Sequence, residues 1–334
     1  MSDTCSASVG VIGSGAWGTA LAAVAANAGN SVAIWSRNPQ VVDDINNQHE
    51  NALYLKGAAL DPTIRATTDA KDLENADLLL LVTPSQHLRS VITPIKPLID
   101  PDVPLVLCAK GVEISSGLLM SEMLEEVLPK NPLAVLSGPT FAIEVARDLP
   151  TAVTLACADA ALGRKLANTL GSRAFRIYHS TDPVGAEIGG AVKNVIAIAC
   201  GIVDGRQLGD NARAALITRG LSEIVQLGIA KGARRETLMG LAGMGDLTLT
   251  CTATQSRNYA LGKALGSGEK LADYLKGRIT VAEGLGSSKS VSALARKLQI
   301  DMPICNAICD VLHHQADIDQ TIADLLARPQ KAEF

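Results

Sequence analysis

Lys193 is the residue of this sequence hardest to account for by packing alone. It lies within Ala186–Cys200, a stretch of small and apolar residues with helical spacing, and lysine is rarely buried without a partner. Desolvation disfavours an ammonium, lowers its pKa and lets the amine give and take protons near neutrality. The periodicity is equally compatible with a stem that runs along the apolar face and carries its charge to water. Three further features supply what a proton-trading lysine requires. Lys110, in Cys108-Ala109-Lys110-Gly111, follows a short apolar run, and ligands of open α/β sheets bind beyond the carboxyl ends of such strands. Asp246 sits with hydroxyls, Thr250 among them, in the glycine-punctuated segment Gly243–Thr250. A carboxylate there can orient a lysine and compensate its charge, although an aspartate so placed also suits a helix N-cap. In Ser256-Arg257-Asn258, Arg257 offers a planar fork that matches a phosphate and Asn258 adds amide donors; a surface ion pair is the ordinary use of such an arginine.

A glycine-rich loop points to a dinucleotide. Gly13-Ser14-Gly15-Ala16-Trp17-Gly18 follows the apolar run Ser8–Ile12 and opens a helical pattern over Gly15–Ala28, the context in which G-x-G-x-x-G has a mechanism. Gly13 permits the tight turn, Gly15 lets the backbone approach a pyrophosphate, and Gly18 lets helix and strand lie close, with the anion on the helix N-terminus. After the second strand the sequence reads Trp35-Ser36-Arg37-Asn38, with Arg37 19 residues beyond Gly18. An acid near this point binds the ribose 2′-hydroxyl in NAD-selective sites. Here Arg37 is placed to pair with a 2′-phosphate instead, so NADP(H) is expected to be accepted, alongside or in place of NAD(H). Ser137-Gly138-Pro139-Thr140-Phe141-Ala142 follows another strand. Its glycine allows close approach, and Thr140 is expected to cap the helix that follows.

The elements that position these residues fall into two halves. Ser31–Trp35, Leu78–Val82, Leu105–Ala109 and Ala134–Leu136 are uninterrupted apolar runs, as in strands buried on both faces of a parallel sheet. With the segments between them, such as Pro39–Asn47, forming crossover helices, they give a doubly wound Rossmann-type α/β domain over residues 1–182. Thr151–Ala156 and Phe175–Tyr178 are expected to extend the sheet. Beyond Asp182-Pro183 the alternation ends. Gly185–Val203, Asn211–Lys231, Thr254–Gly266, Gly286–Leu298 and Ile304–His313 carry helical spacing, which predicts an all-α C-terminal domain over 183–334.

Composition bounds the partners. The chain has 334 residues, 47% of them apolar and only 3% aromatic, so aliphatic side chains and alanine must fill the core. A net charge of −4 gives no support to a nucleic-acid partner, while a local positive pocket can still take a small anion. Seven dispersed cysteines without a CxxC read as free thiols of a reducing compartment, and scattered histidines predict no metal site. Residues 1–8 do not resemble a signal peptide, and the apolar stretch Val192–Val203, interrupted by Lys193 and Asn194, is short for a membrane span. A cytoplasmic protein without integral membrane association is expected.

Gly13–Ala20, Ala109–Gly111, Leu136–Ala142, Gly189–Ala197, Asn211–Gly220, Gly243–Cys251 and Gln255–Asn258 together resemble the bacterial NAD(P)-dependent glycerol-3-phosphate dehydrogenases, in order and over essentially the whole chain. The resemblance implies an enzyme that interconverts dihydroxyacetone phosphate and sn-glycerol 3-phosphate, supplies the backbone of phospholipids and is a homodimer. It implies Lys193 as acid/base, Lys110 beside substrate and nicotinamide, and Asp246 and Asn194 holding the lysine and the substrate hydroxyls. It further implies Thr250, Ser256, Arg257 and Asn258 around the phosphate, with Gly138, Thr140 and Ala142 lining the cofactor and substrate loop. Ser14, Ala16, Trp17, Arg37, Arg257, Val281 and Glu283 would complete the cofactor contacts. Two other readings stay open at this point: a hydroxy-acid dehydrogenase, which would need a carboxylate pocket, and a non-catalytic NADPH sensor, against which the set Lys110, Lys193, Asp246 and Arg257 argues.

Overall fold

The computed structural model describes residues 6–278, 282–330 and 332. Its first half is built on β1 (Ser8–Ile12), β2 (Ser31–Trp35), β3 (Arg65–Thr67), β4 (Leu78–Leu81), β5 (Leu105–Leu107), β6 (Leu133–Ser137), β7 (Thr151–Cys157) and β8 (Phe175–Ser180), which form one sheet in the order β3-β2-β1-β4-β5-β6-β7-β8. The pairings from β3 to β6 are parallel, β6 pairs with β7 antiparallel, and β8 runs parallel to β7. Every residue of β4 and β5 is buried, as the continuous apolar runs require. The expected extension by the seventh and eighth strands is present. The three-residue edge strand β3 was not anticipated, because Arg65-Ala66-Thr67 carries no apolar run.

Helices α1 (Ala16–Asn27), α2 (Pro39–Asp43), α3 (Ser85–Ile95), α4 (Met120–Val127), α5 (Ala142–Ala146) and α6 (Ala160–Leu170) flank the sheet. One core contains Ala20, Leu21 and Val24 of α1 with Val9 and Val11 of β1; the opposite face packs Leu88 and Ile92 of α3 and Met120 and Met123 of α4 against Leu79 and Leu81 of β4. The second helix differs from expectation. It is α-helical only to Asp43 and widens into a π-helical turn over Asp44–Gln48, which stops at His49 with φ +53°.

The second half is helical, as expected: α7 (Pro183–Gly205), α8 (Gly209–Ala230), α9 (Arg235–Leu238), α10 (Asp246–Thr252), α11 (Arg257–Gly266), α12 (Leu271–Leu275), α13 (Glu283–Lys297), α14 (Pro303–His313) and α15 (Ile318–Leu326). The short helices α9 and α12 carry too little periodicity to be seen in the sequence; α15, capped by Asp317, has apolar residues at helical spacing and was overlooked. Helix α7 is the axis of this half. Asp182 caps it by accepting from the Gly185 amide at 3.0 Å, and Pro183 occupies its first turn, the usual start signals. All residues from Gly185 to Ile202 are buried. Its 23 residues are apolar enough to span a bilayer, but its most apolar window is wholly buried inside the protein, which is the pattern of a core helix. Helix α11 meets α7 almost backbone to backbone. A Cβ on Gly201 would lie 2.1 Å from the Tyr259 carbonyl oxygen, and one on Gly262 2.0 Å from that of Ile198, so only glycine fits at this crossing.

Two local expectations are corrected. The helix predicted from Thr254 starts at Arg257, because Ser256 turns its hydroxyl back to the Tyr259 amide as an N-cap, 3.2 Å away. Thr140 does not cap α5: its hydroxyl donates to the Gly138 carbonyl at 3.3 Å, and no side chain caps that helix.

Candidate active site

The glycine-rich loop leaves β1 with Gly13 at φ +118°. A Cβ on Gly18 would lie 1.8 Å from the Gly13 carbonyl oxygen, which accounts for a glycine where helix meets strand, whereas a Cβ on Gly15 would meet no protein atom within 4 Å. Gly15 therefore faces open space at the N-terminus of α1, which has no side-chain cap. Free amides, the helix dipole and a backbone without a side chain suit a pyrophosphate, so these residues fit a dinucleotide. Ala16 and Trp17, partly buried, begin α1. Ser14 donates to the hydroxyl of Ser36 at 2.7 Å, tying the loop to the end of β2. There the exposed Arg37 stands with no ion pair among the described residues. Buried Asn51 was not singled out from the sequence. Its amide donates to the Ser14 carbonyl and to the Thr19 hydroxyl, both at 2.8 Å, so it braces the loop; an asparagine in an irregular segment gives no periodic signal.

Three residues chosen from distant parts of the sequence meet. Asp246 is fully buried; Lys193 Nζ donates to its Oδ1 at 2.5 Å and Lys110 Nζ to its Oδ2 at 2.6 Å. Lys193 comes from the middle of α7, Lys110 from the loop after β5, and Asp246 from the first turn of α10. Asp246 is a helical residue and not an N-cap, and the segment read as a glycine-punctuated turn is a π-helical turn, Leu241–Gly245, running straight into α10. That wide turn rests on α7, where a Cβ on Gly189 would lie 2.4 Å from the Ala242 carbonyl oxygen. Gly190 makes room for the Lys110 stem in the same way, since a Cβ there would lie 3.2 Å from Lys110 Cγ and Cδ. Lys110 also donates to the Gly138 carbonyl at 3.3 Å.

Burial pushes the Lys193 ammonium down to a pKa of about 8; Lys110 adds to the depression, and the Asp246 carboxylate opposes both. An amine so placed is able to trade protons near neutral pH while its partner holds it in place. Thr250, expected at the phosphate, is engaged with the lysine: its buried hydroxyl accepts from Lys193 Nζ at 2.8 Å and donates to the Asp246 carbonyl at 2.7 Å. Asn194, next on α7, accepts from the Asn258 amide at 2.9 Å and donates to Glu283 at 3.4 Å, and Asn258 in turn accepts from the Gly284 amide at 2.9 Å. Lys110, Asp246, Lys193 and Thr250 thus form one hydrogen-bonded set and Asn194, Asn258 and Glu283 a second, adjacent on α7, with the Glu283 charge acting on Lys193.

Arg257 is exposed at the first turn of α11, beside buried Ser256 and Asn258. Gln255 reaches Glu144 of α5 at 3.3 Å, which sets this turn beside the helix begun by Ala142. Val281 lies outside the described residues. Ser137, at the end of β6, carries a buried hydroxyl without a hydrogen-bond partner, and a Cβ on Gly190 would come within 3.1 Å of it; only the folded chain distinguishes it from an ordinary strand serine. Among the described residues no group of three or more His, Cys, Asp or Glu is arranged to hold a metal ion.

Similarity to known proteins agrees with this geometry. Residues 8–163 match the family model of the NAD-dependent glycerol-3-phosphate dehydrogenase N-terminus, and residues 182–323 that of its C-terminus. The chain is 57% identical over 326 residues to a glycerol-3-phosphate dehydrogenase [NAD(P)+] of Rhodospirillum rubrum, covering 97% of this chain and 93% of the relative. It is 54% identical over 325 residues to that of Caulobacter vibrioides, covering 97% and 98%. A crystal structure of glycerol-3-phosphate dehydrogenase from Coxiella burnetii superposes with a TM-score of 0.93 at 42% identity, over 97% of this chain and 99% of that one. With both halves matched in order, the chain belongs to the NAD-dependent glycerol-3-phosphate dehydrogenase family.

Proposed function

We propose that the protein is an NAD(P)-dependent sn-glycerol-3-phosphate dehydrogenase that reduces dihydroxyacetone phosphate, with Lys193 as acid/base. The observation that carries this reading is the buried carboxylate of Asp246 bridging two lysines. When bound, the reduced nicotinamide supplies a hydride to the substrate carbonyl carbon. Ammonium Lys193 donates its proton to the carbonyl oxygen, so the charge that develops there is neutralised as it forms. In the reverse direction the neutral amine removes the hydroxyl proton. Asp246 and Thr250 hold Lys193 Nζ through the bonds described above, and Lys110 adds a second positive charge beside the reacting oxygen. Arg257, with Ser256 and Asn258, receives the phosphate, so that binding energy remote from the carbonyl fixes the reacting carbon. Gly138, Thr140, Ala142, Asn194, Val281 and Glu283 complete the substrate and cofactor contacts. The glycine-rich loop Gly13–Gly18 takes the pyrophosphate and Arg37 the 2′-phosphate of NADPH.

This reading divides the chain into a cofactor domain, 1–182, and a substrate domain, 183–334. It also makes the protein a cytoplasmic homodimer that supplies glycerol 3-phosphate for phospholipids; the burial of the six described cysteines as free thiols supports a reducing compartment. The test is Lys193→Ala. Turnover of dihydroxyacetone phosphate with NADPH should fall by at least about 100-fold while the Kd for NADPH stays within about twofold. Near-normal turnover would remove Lys193 from the mechanism, and turnover of hydroxy acids in preference to triose phosphate would replace the substrate.

A further inference from the structure

The loop that carries Lys110 has almost no regular structure of its own, yet the first turn of α3 grips it residue by residue. Gly111, at φ +150°, lies so close to Ser85 that a Cβ would come within 2.5 Å of the serine oxygen. The Gln86 side chain then acts as a strand would: its Nε2 donates to the Val112 carbonyl at 2.8 Å, and its Oε1 accepts from the Ile114 amide at 3.0 Å. Arg89, one turn further along, makes a bidentate pair with Glu113, both contacts at 2.9 Å. Glu113 also receives the Ser116 hydroxyl at 2.5 Å. The Glu113 amide donates to the Leu118 carbonyl at 2.9 Å, and Val112 bridges Leu119, which closes the loop on itself. On its far side the tip reaches the helical half: a Cβ on Gly286 of α13 would contact Ile114 Cδ1 at 3.8 Å and Gln86 Cγ at 3.9 Å.

Lys110 is the residue immediately before this grip, and its ammonium has to meet Asp246 of the other half at 2.6 Å. A backbone shift of a few tenths of an ångström at Gly111 would be carried down the lysine stem to that contact. We propose that Gln86 and Arg89 are positioning residues for catalysis, which hold the backbone of Gly111–Ile114 so that Lys110 stands at the reacting oxygen. The proposal rests on the role given above to Lys110. Gln86 is exposed, and its bonds to Val112 and Ile114 both go to loop backbone atoms, so they hold the loop itself. The bidentate Arg89–Glu113 fork fixes direction as well as distance.

The test is a double-mutant cycle in turnover. Gln86→Ala should lower kcat with dihydroxyacetone phosphate by about 10-fold to 100-fold, the range for small misplacements of a catalytic group, with the Kd for NADPH unchanged. In the Lys110→Ala background the same substitution should change kcat by less than about twofold, because the group it positions is gone. Equal factors in both backgrounds, or no loss in the single variant, would overturn the proposal. If Lys110→Ala itself leaves turnover intact, it is the assignment of Lys110 that fails. Should Gln86→Ala lack a cooperative thermal transition, Arg89→Lys carries the same cycle, since it keeps the charge and loses the fork, and its outcomes are read in the same way.

Discussion

Asp246→Asn separates the electrostatic part of the site from its shape. The amide is nearly isosteric, but it leaves Lys193 and Lys110 facing each other without the carboxylate that both now contact, at 2.5 and 2.6 Å. Removing one partner of a buried ion pair costs about 3–5 kcal/mol. Because the carboxylate is shared between two ammoniums and Thr250 still accepts from Lys193, we take the lower end. At about 1.4 kcal/mol per pKa unit, ~3 kcal/mol shifts Lys193 down by about two units. The wild-type amine, at about 8, is about nine-tenths protonated at pH 7; two units lower, the fraction is about one-tenth. Triose phosphate reduction at pH 7 should therefore fall about tenfold from protonation alone, with a further loss from the freed lysine. The measurement is kcat against pH in the reductive direction, followed through loss of reduced nicotinamide. Wild-type activity should decline as pH rises through about 8, because the proton donor is lost, and the variant should decline about two units earlier and recover towards acid pH. A variant whose midpoint coincides with that of the wild type would refute the idea that Asp246 sets the protonation of Lys193.

Arg37→Ala should raise KM for NADPH by about 5-fold to 30-fold, the loss of about 1–2 kcal/mol of charge-assisted bonding, and leave KM for NADH unchanged; equal effects on both cofactors would show that Arg37 does not meet the 2′-phosphate. Gly201→Ala should cost at least about 1–3 kcal/mol in urea unfolding, because its methyl would lie 2.1 Å from the Tyr259 carbonyl oxygen; an unchanged midpoint would mean that α7 and α11 separate freely. Glu187, buried on α7, accepts from the Ser121 amide and hydroxyl at the start of α4, and burial raises its carboxyl from 4.5 to about 7. Between those values the folded protein keeps a proton that the unfolded chain has released, so this group's contribution to stability falls as pH rises through the window and stays low above it. Glu187→Gln should therefore gain up to about 3 kcal/mol relative to wild type on going from pH 5 to pH 8, and a stability difference independent of pH would reject the shifted carboxyl.

Much of this architecture was legible in the sequence because its signals are local. Runs such as Leu78–Leu81, short and uninterrupted, fit strands buried on both faces, and the glycine pattern after β1 states its own geometry. Lys193 stood out because a charge in an apolar helix needs an explanation. The edge strand β3 escaped because its pairing with β2 is a tertiary event that its three residues do not announce. The π-helical turn before α10 escaped for a related reason: Gly243 and Gly245 read as breakers, whereas Gly243 serves close packing, a Cβ there falling 1.9 Å from the Leu238 carbonyl oxygen. The sequence named Lys110, Lys193 and Asp246 separately, but nothing in their spacing says that one carboxylate serves both amines. Thr250 shows the same limit, since nothing in the sequence says that its hydroxyl bonds the lysine. Asn51 lies in a segment where neither period nor motif marks a polar residue as buried, and the motif that contains Ser137 does not announce that its hydroxyl is buried.

The glycine-to-backbone crossing of α7 and α11 has a consequence for the residues that the two helices carry beside it. One rod bears the amine at position 193 and the other begins with the guanidinium at position 257, and no compressible side chain separates them at the crossing. Under the roles proposed for Lys193 and Arg257, the span between proton donor and phosphate receiver is thus set like the jaws of a locked calliper. A ketone one carbon shorter or longer would engage one jaw or the other, never both, so discrimination by chain length would be governed by glycines that touch no part of the substrate.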